Sequence, residues 1–290
     1  VSTVRRTFPV PESLRESAAK AGQSVATPRP AATVMLVRDI GAEGERSPHG
    51  GTPEAESGIE VFMLRRTASM AFAPRMMVFP GGGVDPRDAD RDLPWCGPSP
   101  ASWARDLATE DEDLARELVV AAAREVFEEC GVLLAGRDEN HVVQDPSGPL
   151  WRQTRAALLA REWSFAEVLM QRDLVLRTDL LRAWAHWVTP EFEPRRYDTR
   201  FFAALLPQGQ SPDGDTTEAD EAGWWAPAAL LRDAETGAAM LLPPTRVCLE
   251  QLAQRSPAAA VLDQAPQVRR VMPVLEESPS GPVLACEVPS

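Results

Sequence analysis

Residues 124–132 read REVFEECGV, which puts one arginine, three glutamates and a glycine in nine positions. In a helix, at about 100° per residue, Glu125, Glu128 and Glu129 fall within an arc of about 100°. Val119, Val126 and Phe127 then point elsewhere, toward a core. Like charges at these spacings destabilise a helix in water by about 0.2–0.5 kcal/mol per pair. A hard divalent cation such as Mg²⁺ reverses that sign, because it prefers carboxylate oxygens. Arg124 is placed to hold the first carboxylate through a bidentate pair. On these residues alone, a solvated acidic helix face is the competing reading.

The helix that must carry these groups runs from about Leu114 to Cys130, and Gly131 suits a left-handed end to it. Residues 31–38 and 59–66 are short β-prone runs, joined by a long exposed hairpin connection rich in Gly, Glu, Ser and Pro. MMVFPGGG reads as a strand ending in a glycine turn, and an acidic, proline-broken loop with a helical turn follows it. Residues 148–185 carry helical spacing of Leu, Trp and Ala. Two strands around a turn follow, in AHWVTPEFEPRRYDTRFFAALLP, then a strand running into a short helix in EADEAGWWAPAALL. PPTRVCLEQLAQ begins a helix with proline, and VRRVMPVLEE and GPVLACEVP after it suggest a terminal hairpin or an extended tail. Strands and helices mix without regular βαβ alternation, so the class is α+β, as an α/β/α sandwich, rather than a doubly wound sheet.

A formal charge of −13 argues against general nucleic-acid binding, which uses basic surface. A phosphate-bearing substrate stays compatible with that charge if divalent cations stand between carboxylates and phosphates. No apolar run is long enough to span a membrane, and the first residues lack the apolar core of a secretory signal. Cys96, Cys130, Cys248 and Cys286 are scattered without metal-ligand spacing and read as free thiols of a reducing cytoplasm. No nucleophile elbow, Walker loop or dinucleotide fingerprint appears.

The order of these features resembles the Nudix hydrolases, whose box reads G-x5-E-x7-R-E-U-x-E-E-x-G-U with U a bulky aliphatic residue. Arg124, Glu125, Val126, Glu128, Glu129, Gly131 and Val132 fill its second half, and VFPGGGVD is similar to its opening turn, with Gly82 as the first glycine. Gly82 and Arg124 lie 42 positions apart where the box has 14, an insertion of 28 residues. Such an interrupted box resembles the coenzyme A diphosphatase-like subgroup that includes the mammalian Nudix-type motif 19 protein. HWVTP, RRYDTRFF and LLPP follow in the same order, so the likeness covers about residues 30–250. It implies a single domain over 1–290 with a core at about 30–255, an insert at about 85–113 and a tail at about 256–290. One departure stands out. Counted back from Arg124, the box's first glutamate falls on Arg116, with Glu117 one off register.

The resemblance further implies that Glu125, Glu128, Glu129 and the Gly81 carbonyl hold Mg²⁺ or Mn²⁺, with Arg124 completing the catalytic set. Glu218 or Glu221 would supply a further metal ligand or a base, against the alternative of an exposed acidic loop. Arg65, Arg66, Arg195 and Arg196 are candidates for substrate phosphates, because guanidinium groups pair well with phosphate oxygens, and surface salt bridges are the competing reading. Trp224 and Trp225 read as core, and His49, His141 and His186 receive no catalytic role. Trp95 and Trp103 should anchor the insert as an ordered loop near the substrate entrance. The activity implied is hydrolysis of a diphosphate linkage in a small nucleoside diphosphate derivative such as coenzyme A or an acyl-coenzyme A. A nucleotide-sugar or NADH diphosphatase, or a non-catalytic binding or regulatory module on the same fold, are the alternatives. A homodimer is compatible with this reading.

Overall fold

Alternation along residues 29–39 sends Ala32, Val34 and Leu36 to one side of a sheet and Met35 and Val37 to the other, all fully buried. A strand buried on both faces must be covered on both. The computed structural model, which describes residues 2–11, 14–19, 25–41, 58–70, 73–263, 265–279 and 281–289, shows that cover.

In chain order the elements begin with β1 (Thr3–Pro9), α1 (Arg15–Ala19), β2 (Arg29–Asp39), β3 (Ile59–Arg66), β4 (Met77–Val78) and β5 (Gly81–Gly83). β6 (Trp95–Cys96), α2 (Pro100–Asp106), α3 (Glu112–Cys130) and β7 (Ala135–Gly136) follow, then α4 (Pro149–Leu159) and α5 (Phe165–Met170). Next come β8 (Val175–Arg177), β9 (Leu181–Val188), β10 (Tyr197–Leu205) and β11 (Ala219–Trp225). The chain closes with α6 (Pro227–Thr236), α7 (Pro243–Leu252), α8 (Ala259–Asp263), β12 (Arg270–Val271), β13 (Val274–Ser278) and β14 (Gly281–Pro289).

The central sheet runs β11-β3-β2-β10-β9-β12, with β4 added to β3 and β5 to β2. The pairs β2/β10 and β9/β12 are parallel and the other neighbours antiparallel, so the sheet is mixed. On one face Val34, Leu36 and Phe202 pack with Val119, Val126 and Phe127 of α3. On the other, Met35, Val37 and Phe201 pack with Leu230 of α6, Leu249 of α7 and Val261 of α8. This is the expected α+β sandwich. A separate sheet, β1-β14-β13, joins the second core through Phe8, Leu284 and Val288. The segment expected as a hairpin or extended tail is therefore folded onto the molecule. Among the described residues no helix is long and apolar enough to cross a membrane.

One expectation changes. The end of the stretch expected as helical is mostly strand: β8 and β9 are joined by a 3₁₀ turn at Thr178–Leu180, and Leu181, Ala183 and Trp184 are buried in β9. A strand covered on both faces shows a near-continuous apolar run, which periodicity cannot separate from a buried helix. The hairpin connection at 39–58 lies largely outside the described residues, though β2 and β3 do pair, with Val37 opposite Val61.

α3 is bounded as its ends dictate. The Asp111 carboxylate caps it by accepting the Leu114 N–H at 2.9 Å, and Glu112 and Asp113 put negative charge in its first turn. Gly131 ends it at φ 70°, a left-handed conformation that glycine adopts without steric cost.

Candidate active site

α3 lies across β2 and β5, which brings the box helix onto the glycine turn. The approach is too close for any side chain, since a Cβ on Gly82 would sit 2.5 Å from the Glu125 Oε1. The Gly81 N–H donates to Glu129 Oε2 at 2.7 Å, so the turn's backbone touches two of the three box carboxylates. At the far end of the helix, the Arg155 Nε donates to the Glu128 carbonyl at 2.7 Å, a cation placed at the negative end of the helix dipole.

Arg124 uses all five of its N–H donors. Nη1 reaches Glu125 Oε1 at 2.7 Å and Glu128 Oε2 at 3.0 Å, and Nη2 reaches the Gly83 carbonyl at 2.9 Å. Nε and Nη2 grip Asp88 at 2.9 and 3.0 Å. Asp88 is fully buried and also accepts the Asp85 N–H at 2.8 Å. Asp88 is the functional residue that counting from Arg124 misses, because that count lands on Arg116. Counted forward from Gly82, the G-x5-E spacing lands on Asp88, an aspartate where the box has glutamate. The supporting carboxylate is therefore present, and the extra residues lie after it rather than before it. Arg116 instead places its guanidinium 5.7 Å from the Trp95 ring.

A cavity of about 390 Å³ opens on the other side of the glycine turn, lined by Gly81–Gly83, Arg66, Glu218 and Arg195 among others. The helix glutamates do not line it; they sit behind the turn. Of the candidate phosphate ligands, Arg195 is exposed and at the cavity, and Arg66 lines it with a buried Nε that has no hydrogen-bond partner. Arg196 is buried and donates to the Thr189 and Ala26 carbonyls at 3.0 and 2.7 Å, so it fastens the backbone and does not reach substrate. Arg65 points away and pairs with Asp220 and Glu221, each at 2.6 Å. The strand alternation that turns Arg65 outward takes Glu221 with it, which leaves Glu218 as the loop acid near the site, 3.6 Å from Arg66. His141 pairs with Asp138 on the surface, His186 is buried against Asp198, and His49 lies outside the described residues. Trp224 packs edge-on against Phe62 at 5.4 Å, as a core residue.

The insert is ordered, with Trp103 buried 5.8 Å from Phe202 and the Trp95 Nε1 bonded to the Pro98 carbonyl at 2.8 Å. Its position differs from expectation. None of residues 85–113 lines the cavity. The insert packs on α3 through α2, and Asp88 stands in the turn just before the extra residues begin.

A model of the NUDT19 Nudix domain matches residues 96–252, more than half of the chain. The chain belongs to the Nudix hydrolase family. It is 31% identical over 214 residues to the acyl-coenzyme A diphosphatase NUDT19 of Gallus gallus, covering 61% of this chain and 55% of that protein. It is 29% identical to the putative nudix hydrolase 7 of Caenorhabditis elegans, over 67% of this chain and 56% of that one. The chain thus spans little more than half the length of these relatives. A crystal structure of a NUDIX hydrolase from Alicyclobacillus acidocaldarius superposes with a TM-score of 0.65 at 28% identity, covering 83% of this chain and 98% of that one.

The electrostatics of this Nudix site are those of crowded carboxylates. Burial pushes the Glu125 carboxyl up to about 7, with Arg124 opposing and Glu128 adding to the rise. Burial raises Glu129 well above the carboxylate range, and the Glu125 charge adds to it. Glu128 also rises through burial, against the pull of Arg124. Among the described residues no three His, Cys, Asp or Glu side chains form a ready metal cage. The donor chemistry nevertheless fits a hard cation, because buried carboxylates that raise one another's proton affinity are relieved by positive charge. The four cysteines are free thiols, and Cys130, Cys248 and Cys286 are buried.

Proposed function

We propose that this Nudix domain hydrolyses the diphosphate linkage of a nucleoside diphosphate derivative, with coenzyme A and its acyl thioesters as the substrate class. The observation that carries the reading is the Arg124 web. By taking one oxygen each of Glu125 and Glu128 and two of Asp88, it fixes three box carboxylates against a glycine turn at the edge of a cavity. The names of the curated relatives, acyl-coenzyme A diphosphatases, support the substrate class.

Glu125, Glu128 and Glu129, with the Gly81 carbonyl, are the groups that would hold Mg²⁺ or Mn²⁺. A divalent cation supplies positive charge that offsets the diphosphate's negative charge as the phosphorus–oxygen bond breaks. The chain's own groups do the rest. Arg66 and Arg195 bind phosphate oxygens from the cavity side. Glu218, outside the Arg124 web, takes the proton from the attacking water. The glycine turn lets the substrate's phosphates approach the backbone where a Cβ would block them.

The test is release of 3′,5′-ADP from coenzyme A by the purified chain, with and without Mg²⁺ or Mn²⁺, beside NADH and a nucleotide sugar. Expected is no hydrolysis in EDTA, recovery with either metal, and the highest kcat/KM on a coenzyme A compound. Full activity in the chelator removes the metal mechanism, and a higher kcat/KM on NADH or the nucleotide sugar reassigns the substrate.

A further inference from the structure

The cavity reaches well beyond the glycine turn. Ala31 of β2 faces Gly83 of β5 and Thr199 of β10, and Thr199 faces Trp187 of β9, so the lining crosses four neighbouring strands. At about 4.8 Å per strand, the glycine turn and Trp187 stand roughly 14 Å apart.

Its chemistry changes along that length. Arg66 and Glu218 stand at the end near β3 and β11. Toward β9 the wall is Phe201, Trp187, Leu14 and Leu284, and the last two are 6% and 1% exposed, which makes them floor rather than rim. Four prolines also line the cavity, Pro190, Pro243, Pro244 and Pro273, and none has a backbone N–H to offer. The Thr189 hydroxyl is already engaged, accepting the Tyr197 N–H at 3.0 Å. Thr33, Thr199 and Thr245 also line the cavity, and beyond their hydroxyls the apolar wall offers a nucleobase's edge atoms few partners, whereas an aliphatic chain needs none. Leu284 belongs to β14, which pairs with β1, and Leu14 stands in the turn between β1 and α1, so this floor comes from the two ends of the described chain.

We propose that the deep end of the cavity holds the aliphatic tail of the substrate, and that Leu284 and Leu14 set the longest tail accepted. The inference rests on the diphosphatase reading and adds to it the residues that measure the acyl chain.

Calorimetric titration in EDTA, where no turnover is expected, compares coenzyme A with its hexanoyl, dodecanoyl and hexadecanoyl thioesters. For the unaltered chain, Kd should fall at least about tenfold from coenzyme A to the best thioester, as apolar surface leaves water. Leu284→Trp should remove that gain, and Leu284→Ala should move the optimum to a longer tail. Equal Kd for coenzyme A and every thioester overturns the proposal on the unaltered chain alone, so a variant that fails to fold cannot shield it. Steady-state assays with Mg²⁺ separate the two readings. Tail-dependent binding without diphosphate hydrolysis keeps the tail site and removes the diphosphatase, while hydrolysis together with tail-independent Kd does the reverse.

Discussion

Asp88 holds Arg124, 36 positions later in the sequence, through both carboxylate oxygens, at 2.9 and 3.0 Å. This buried pair sets the orientation of the guanidinium, and with it the oxygens of Glu125 and Glu128 that are already committed. Asp88→Ala leaves two donors of the buried Arg124 without partners, and the expected loss is about 1–3 kcal/mol of unfolding free energy. Urea denaturation measures it, and a loss below about 1 kcal/mol would show that the remaining carboxylates satisfy Arg124 without Asp88.

The box glutamates should separate from their neighbour in sequence. Glu128→Gln and Glu129→Gln are each expected to lower kcat by at least about 10², the scale for removing a group that stabilises transition-state charge. Glu117→Gln, outside the Arg124 web, should do far less. Similar losses at Glu117 and Glu128 in the 3′,5′-ADP assay would show that the reacting centre lies elsewhere.

Stability should depend on pH in a defined direction. Burial raises Glu125 from 4.5 to about 7, so across that window the folded chain holds a proton that the unfolded chain releases. Stability of the metal-free protein therefore falls as pH rises from about 4.5 through about 7, and Glu128 and Glu129 act in the same sense. Urea unfolding in EDTA at about pH 5.5 and about pH 8 should show the fall, and Glu125→Gln should shrink it. Mg²⁺ should flatten the profile by competing with the protons. A metal-free protein that gains stability over this range contradicts the assignment.

The insert is expected to matter to the fold rather than to KM. Trp103 is buried against Phe202 beneath α3, so Trp103→Ala should cost about 3–5 kcal/mol. Since no insert residue lines the cavity, KM of the folded fraction should stay within about twofold. A large KM change with unaltered stability would place the insert at the substrate after all.

Local signals carried far in this chain. The helix face, its Gly131 end, the two early strands and the glycine turn all depend on neighbours within a few residues, and each stands where its pattern puts it, while the Asp111 cap starts the helix two residues before the expected Leu114. What depended on distant partners was harder to read. Arg196 has the same composition signal as Arg195, yet its guanidinium is consumed by carbonyls at 26 and 189. Arg65 and Arg66 are adjacent, and only the strand's alternation decides that Arg66 faces the cavity and Arg65 the surface acids. Asp88 was countable from Gly82 but hidden from Arg124 by the insertion. The first half of β9 was mistaken for helix, though its AHWV end was read as strand, because cover on both faces erases the period-two pattern.

The pairing of residues 3–9 with residues 283–289 has a consequence for how the molecule comes into being. During synthesis β1 is made early and waits without its strand partner until β14 has been translated. Contacts so distant in sequence form late, because the loop-closure entropy must be met before the pairing returns anything. The glycine turn, Asp88 and the box helix lie between residues 81 and 131 and can assemble while the later part of the chain is still being made. The turn and the box helix can therefore stand in place before Leu284 arrives with β14 to close the floor of the cavity.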